Sequence, residues 1–256
     1  MKIISFNIKI DLDNAKKVVE YLEAQNADII CLQEVIRPLD DKVFSVFRSE
    51  EIIKNYLKKD YPYYFFAPEW VANKHIFENR DVNFGGMVEQ GKLILSKYPI
   101  KHGYNYFYNK NYEFDCDRKE FFKGDDHGRT LQICDIEVNG KLIQVANVHG
   151  LYSSDKLDTK KTLLQSEFIL GKLKERKIPT ILIGDFNLLP NSESIKILNK
   201  EYKNLNNSFN ITSTRPKDQI VDYVFIDANF SANSLVVDKL DISDHYPLIV
   251  ELEFSE

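Results

Sequence analysis

TLQICDIEVNGKLIQVANVH, residues 130–149, decides the architecture. Two apolar runs, TLQICDIEV (130–138) and KLIQVANV (141–148), are separated only by Asn139-Gly140. Asn-Gly between β-rich runs is the strongest short signal for a two-residue hairpin, because both central residues of such a turn adopt positive φ. Antiparallel sheet is therefore expected in the middle of the chain. The second run stops at His149, and a polar group at the end of an apolar run recurs elsewhere.

Upstream, KIISF (2–6) and DIICL (28–32) read as strands. Between them Ala15, Val18, Val19 and Leu22 fall at i, i+3, i+4 and i+7, which predicts a helix with Asp11 or Asp13 as its N-cap. Strand–helix–strand order predicts parallel pairing through a crossover. A further helix is expected over Ser49 to Lys59, before Tyr61-Pro62, and KLILS (92–96) follows as a strand. Downstream, Asp158 is the expected cap of a long helix carrying the i,i+4 pairs Leu164/Phe168 and Ile169/Leu173. TILIG (180–184), VDYVFI (221–226), SLVVD (234–238) and PLIVELEF (247–254) complete the strands. Parallel and antiparallel strands with few helices fit an α/β fold of two packed mixed β-sheets flanked by helices, in one domain over 1–256.

The 256 residues, 43% of them hydrophobic, suffice for one large core. No run approaches the ~20 apolar residues of a membrane span, and MKIISFNIKID is too short in apolar residues for a secretory signal. Cys31 and Cys134 sit in apolar runs, Cys116 lies in a loop-like stretch, and no metal-type cysteine spacing occurs. Reduced thiols and a cytoplasmic location are expected. The net charge of −5 argues against a broadly basic nucleic-acid grip. Lys160-Lys161 and the Lys172–Lys177 cluster read as solvated helix faces. No protein partner is indicated.

The polar endings carry the chemistry. SFN ends at Asn7, DIICLQE at Glu34, KLIQVANVH at His149, and TILIGDFN at Asp185 and Asn187; ISDHYP holds Asp244 and His245 side by side. Asp222 stands inside QIVDYVF, where an ionised carboxylate is costly without a partner. His245 could be that partner. Each residue alone could be a turn former or the first solvated residue of a loop, but loops after sheet strands are where sites are built. Carboxylate and amide oxygens without cysteine are hard ligands suited to Mg²⁺ or Mn²⁺. Glu34 is the first choice of metal ligand, with Asn7 and Asp244 close to the metal or its waters.

The ordered set SFN, LQE, NVHG, GDFNLLP, VDYVF and SDHYPL resembles the endonuclease/exonuclease/phosphatase superfamily, which includes pancreatic deoxyribonuclease, apurinic endonucleases, neutral sphingomyelinases, deadenylases and inositol polyphosphate phosphatases. GKLILSKYP (91–99) also looks like a strand of that family. The resemblance implies a four-layer α/β/β/α sandwich and metal-dependent hydrolysis of phosphate esters. It agrees with Glu34 as a metal ligand and implies His149 as a phosphate contact.

Two assignments of the base stay open. In one, Asp185 takes the proton of the attacking water, Asn187 orients it, and the His245–Asp222 pair donates to phosphoryl oxygens; this one is favoured. In the other, His245 polarised by Asp222 is the base. The expected substrate is a phosphodiester, nucleic acid among the candidates. The alternatives are a phosphomonoester, a phospholipid head group on the same scaffold, or a non-catalytic binding module. The chain lacks the tryptophan-cysteine-aspartate-arginine motif of the inositol phosphatase branch. Ile220-Val221 stand where the apurinic branch carries tryptophan-arginine. GDFN followed by proline, with SDHYPL, is closer to sphingomyelinases, deadenylases and broad nucleases. Arg129, Arg215 and Lys217 are candidate phosphate contacts. Tyr108 belongs to an aromatic-rich segment from Tyr104 to Gly128, which reads either as a recognition loop or as a hairpin packed on the sheet.

Overall fold

A computed structural model describes residues 1–9, 15–77, 80–112 and 128–255. Its elements run β1 (Lys2–Asn7), α1 (Ala15–Gln25), β2 (Ile29–Pro38), α2 (Ser49–Leu57), β3 (Tyr63–Phe77), β4 (Arg80–Ser96), β5 (Ile100–Asn109), β6 (Arg129–Val138) and β7 (Lys141–His149). Then follow α3 (Lys160–Lys174), β8 (Thr180–Asp185), α4 (Glu193–Asn199), β9 (Lys203–Asn204), α5 (Leu205–Ser208), β10 (Asp222–Ile226), β11 (Phe230–Val237) and β12 (Leu248–Phe254). They form two six-stranded sheets, ordered β11-β12-β1-β2-β4-β3 and β5-β6-β7-β8-β10-β9.

Both sheets are mixed. β1 and β2 pair in parallel across α1, as do β7 and β8 across α3, and the remaining neighbours are antiparallel. The β6–β7 hairpin turns at Asn139 and Gly140, whose φ values of 50° and 78° are those of the expected turn.

Alternation along the strands sorts side chains into layers. Ile29, Cys31 and Ile94 of the first sheet meet Cys134, Val145 and Ile183 of the second in the central core. The alternate positions Ile30, Leu32, Leu93 and Leu95 face Val18, Leu22, Ile53 and Leu57 of α1 and α2. On the far side Ala146, Leu182 and Phe225 face Ile169, Leu173, Ile195 and Leu198 of α3 and α4. The central strands are buried on both faces, which is why they read as near-continuous apolar runs. The result is the α/β/β/α sandwich. Among the described residues no helix is long and apolar enough to cross a membrane.

Near one end of the sandwich the central core gives way to buried amides. Gln33 Nε2 donates to Asn147 Oδ1 at 2.7 Å, and Asn147 Nδ2 donates to Gln132 Oε1 at 2.9 Å. The first bond, with Asn147 Nδ2 donating to the Leu32 carbonyl at 3.0 Å, ties the sheets together directly behind the polar strand ends, and the second links β7 to β6 within the second sheet.

Two interruptions of the ladder position side chains. Against β4, Leu32 pairs with Leu93 but Val35 pairs with Gly91, so β2 carries one extra residue there. On the other side of β4, Pro68 pairs with Gly91 and Trp70 with Gln90, so β3 also carries one extra residue, Glu69. Both irregularities flank Gly91, where a Cβ would fall on the carbonyl oxygen of Ala67. A bulge bends its strand and re-aims a side chain, and here each bulge contains a glutamate.

Some local expectations are corrected. Thr159, not Asp158, is the N-cap of α3, in a reciprocal capping box with Thr162. Asp158 instead accepts from the backbone N–H groups of Glu193 and Ser194 at 2.6 and 2.9 Å, at the start of α4. The helix expected to Lys59 ends at Leu57. Tyr104, Tyr106, Phe107 and Tyr108 belong to strand β5, while Phe114, Phe121, Phe122 and the proposed caps Asp11 and Asp13 lie outside the described residues.

Candidate active site at the shared end of the two sheets

Three of the expected residues occupy neighbouring register positions in the second sheet. His149 pairs with Asp185 across the parallel β7–β8 ladder, and Asp185 pairs with Asp222 across the antiparallel β8–β10 ladder. The strand end that places a carboxylate and an amide two residues apart is then resolved by its turn. Phe186 is fully buried in the core under α3 and α4. Asn187 takes φ 57°, its N–H donates to Asp185 Oδ1 at 2.8 Å, and it turns back toward the strand ends. Asn is among the residues that tolerate this left-handed region.

The first sheet supplies Asn7 at the end of β1 and Glu34 in the β2 bulge, at φ 59°. Asn7 Nδ2 donates to Glu34 Oε1 and to Asp185 Oδ2, each at 3.1 Å, and so bridges the sheets. Asn7 Oδ1 accepts from Lys9 N at 3.1 Å. Asp185 Oδ2 also faces His245 Nε2 at 3.7 Å and His149 Nε2 at 3.9 Å. One carboxylate oxygen thus stands at the centre of the group.

His245 is held from behind by Asp222, both of whose oxygens lie 3.0 Å from Nδ1. The start of β10 is fixed in turn: Asp222 N donates to Thr214 Oγ1 and Asn206 Nδ2 donates to Asp222 O. Ser243 Oγ donates to the Asn7 carbonyl at 2.8 Å, which ties the loop before His245 to β1. Burial alone would lower the basicity of His245, but the Asp222 and Asp185 carboxylates outweigh it and raise the pKa to about 9. Burial likewise pushes Asp185 up, yet the charges of His245, His149 and Lys156 hold it below the usual carboxylate range. For Asp222 burial prevails and the pKa rises, despite the imidazole. The shared proton belongs on the imidazole, which bonds both Asp222 oxygens.

Asp222, Asp185 and His245 have ligand atoms within 4.8 Å of one another, the geometry of a possible cation site. Asp222 is engaged by the imidazole, however. The carboxylates of Glu34 and Asp185, which converge on one amide nitrogen, are the hard-oxygen donors better suited to a divalent cation.

Other expected residues are engaged differently. Asp244 is partly exposed and its Oδ2 accepts from Arg215 Nη2 at 3.3 Å, which pairs a proposed ligand with a proposed phosphate contact. Arg129 is no exposed contact: it is 7% exposed and bonds Glu69 Oε2 at 3.1 Å and His149 Nδ1 at 3.2 Å. Tyr108 also supports rather than lines the site, its hydroxyl donating to the His149 carbonyl at 2.8 Å. Lys217 is exposed.

Sequence reasoning missed three residues. Glu69, fully buried, accepts from Lys92 Nζ at 2.6 Å as well as from Arg129, and the two cations hold its pKa far below the usual range against burial. A carboxylate inside YYFFAPEWVA was the available signal, of the same kind as Asp222 in QIVDYVF. Lys92, also fully buried, further donates to Thr130 Oγ1 at 2.7 Å across the sheets. Lys156, in the loop after β7, donates to Asn187 Oδ1 at 2.5 Å, while Asn187 Nδ2 donates to Gly150 O at 3.2 Å. No pattern in the sequence marked Lys156.

A sequence profile described as the Endonuclease/Exonuclease/phosphatase family matches residues 4–245. A Phospholipase C of Staphylococcus aureus is 24% identical over 273 aligned residues, covering 88% of this chain and 79% of that protein. Among solved structures, an endonuclease/exonuclease/phosphatase from Beutenbergia cavernae superposes with TM-score 0.79 at 15% identity, over 99% of this chain and 71% of the other. The Bacteroides thetaiotaomicron mannosyl-6-phosphatase Bt3783 superposes with TM-score 0.65 at 13% identity, over 99% and 100% of the two chains. At such identities these superpositions establish the fold.

Proposed function

The chain belongs to the Endonuclease/Exonuclease/phosphatase family of phosphate-ester hydrolases, and we propose that it is a divalent-metal-dependent phosphodiesterase in which water attacks phosphorus in line. The observation that carries this reading is the surrounding of Asp185 Oδ2. An amide from the other sheet and two imidazoles converge on that single buried oxygen.

Glu34, with Asp185 and Asn7 beside it, would hold Mg²⁺ or Mn²⁺, and Asp244 lies one residue from His245 as a further candidate. A bound cation would neutralise charge on the phosphoryl and leaving oxygens. The protein groups do the rest. Asp185 accepts the proton side of the attacking water, and Asn187, its amide fixed at both ends, orients that water. His245 is protonated at neutral pH and donates to a phosphoryl oxygen through Nε2, with Asp222 holding the ring. His149 is a second donor.

The test compares bis(p-nitrophenyl) phosphate with p-nitrophenyl phosphate in Mg²⁺, Mn²⁺ or EDTA. Diester cleavage abolished by EDTA is expected. Activity on monoesters alone would replace this reading with a phosphatase, and silence on every ester with a binding module. A second reading, hydrolysis of a phospholipid head group, is favoured by the similarity to the staphylococcal Phospholipase C over most of both chains. Release of a phosphorylated head group from phosphatidylcholine or sphingomyelin vesicles, with no cleavage of DNA or RNA, would select it.

A further inference from the structure

The two site histidines are backed by opposite charges. Behind His245 stands a carboxylate, and Nδ1 must carry a proton to bond both Asp222 oxygens at 3.0 Å. Behind His149 stands a guanidinium. Arg129 Nη1 lies 3.2 Å from His149 Nδ1 and 3.1 Å from Glu69 Oε2, so one nitrogen with two protons serves both.

Arginine is a donor only and stays charged in proteins. A bond between Arg129 and Nδ1 therefore requires a lone pair on Nδ1. The competing arrangement, Nδ1–H donating to Glu69, meets a separation of 3.6 Å, beyond hydrogen-bond reach. Glu69 Oε1 is also already taken by Lys92 at 2.6 Å. The three side chains are buried, with Glu69 and Lys92 at 0% exposure and Arg129 at 7%, so the packing that sets these distances is not a surface accident.

We infer that Arg129 is a positioning residue that fixes His149 as the tautomer with its proton on Nε2, making it a permanent hydrogen-bond donor toward the strand-end oxygens. Nε2 faces Glu34 Oε1 at 3.7 Å and Asp185 Oδ2 at 3.9 Å, the region where a phosphoryl oxygen would sit. Glu69 and Lys92 complete the device: Glu69 orients the guanidinium, and Lys92 occupies the other carboxylate oxygen. The two imidazoles then differ in kind. His245 can gain or lose its Nε2 proton while keeping the one on Nδ1, whereas His149 presents a fixed donor. The catalytic role rests on the function proposed above; the position of the proton does not.

The experiment is long-range ¹H–¹⁵N correlation on the histidine-labelled full chain in EDTA near neutral pH, with His149 assigned by its loss in His149→Gln. The expected spectrum has an unprotonated Nδ1 and a protonated Nε2. Arg129→Met, which leaves the Glu69–Lys92 pair whole, should release Nδ1 and shift His149 toward the Nδ1–H form. Arg129→Lys should restore the original pattern. Diester turnover should fall ~10²-fold in Arg129→Met, the cost of one misplaced donor, and recover in Arg129→Lys. A wild-type His149 protonated at Nδ1, or an Arg129→Met spectrum identical to wild type, overturns the inference. If Arg129→Met does not fold, the wild-type spectrum decides alone. Absence of wild-type turnover would strike the proposed function and leave the tautomer result standing.

Discussion

His245 lies between two buried carboxylates: Asp222 contacts its Nδ1 with both oxygens at 3.0 Å, and Asp185 Oδ2 stands 3.7 Å from its Nε2. The ring thus keeps a proton well above the ordinary histidine range, to about 9. Asp222→Asn removes the nearer charge and should lower diester turnover by ~10²–10⁴. It should also move the alkaline limb of kcat/KM to lower pH. A pH–rate profile with an unmoved limb would contradict the donor role of His245.

The same ring should govern stability in alkaline solution. Its folded pKa is raised, so its contribution is complete below the unfolded value of 6.5 and disappears as pH rises through about 9. Thermal melts in EDTA should therefore decline across that window more steeply for wild type than for His245→Gln. Asp185 acts in the opposite direction. Its pKa is depressed, so its contribution is present above the unfolded carboxylate value and is lost on acidification.

Glu34 occupies a left-handed backbone position, φ 59°, and directs its carboxylate toward the same amide as Asp185. Strain of this type costs ~1–3 kcal/mol and persists where function requires it. Glu34→Gly should abolish metal-dependent turnover yet raise the stability of the metal-free protein by ~1 kcal/mol. Chemical denaturation in EDTA measures this; Glu34→Gln, which keeps the strain, is the control.

Lys156 fixes the amide of Asn187 from one side while Gly150 fixes it from the other. In Lys156→Met the amide loses the partner on its oxygen and can rotate. A fall in kcat of ~10–10²-fold is expected, as for a displaced positioning group. Steady-state kinetics on bis(p-nitrophenyl) phosphate checks it, and Lys156→Arg should keep more of the rate than Lys156→Met.

The legible part of the fold was the part in which local signals agreed. Asn139-Gly140, the helical spacing of Ala15, Val18, Val19 and Leu22, and the continuous apolar runs each gave one reading, and the hairpin, α1 and the central strands are those elements. β3 and the first half of β4 were not legible. YYFFAPEWVANKHIF has a proline and a glutamate in its middle, and the bulge that accommodates them exists only once β4 is paired alongside. The Asp158 assignment failed for a related reason, because a capping oxygen can serve a helix distant in sequence, here α4. At the site, residues ending apolar runs could be found, since burial of a charge is visible in the sequence. Arg129 and Lys156 could not be placed, because a cation at the start of a strand or in a loop looks alike in sequence whether it meets water or a buried acceptor.

Gly91 touches none of the reacting groups, yet the strands on either side of it step out of register at the same point, one to aim Glu34 and the other Glu69. A single methyl group added there would press on the neighbouring backbone and disturb both glutamates together. The cation pocket and the prop beneath His149 share one mechanical fulcrum, so drift at this glycine would silence the chemistry from a place no substrate reaches.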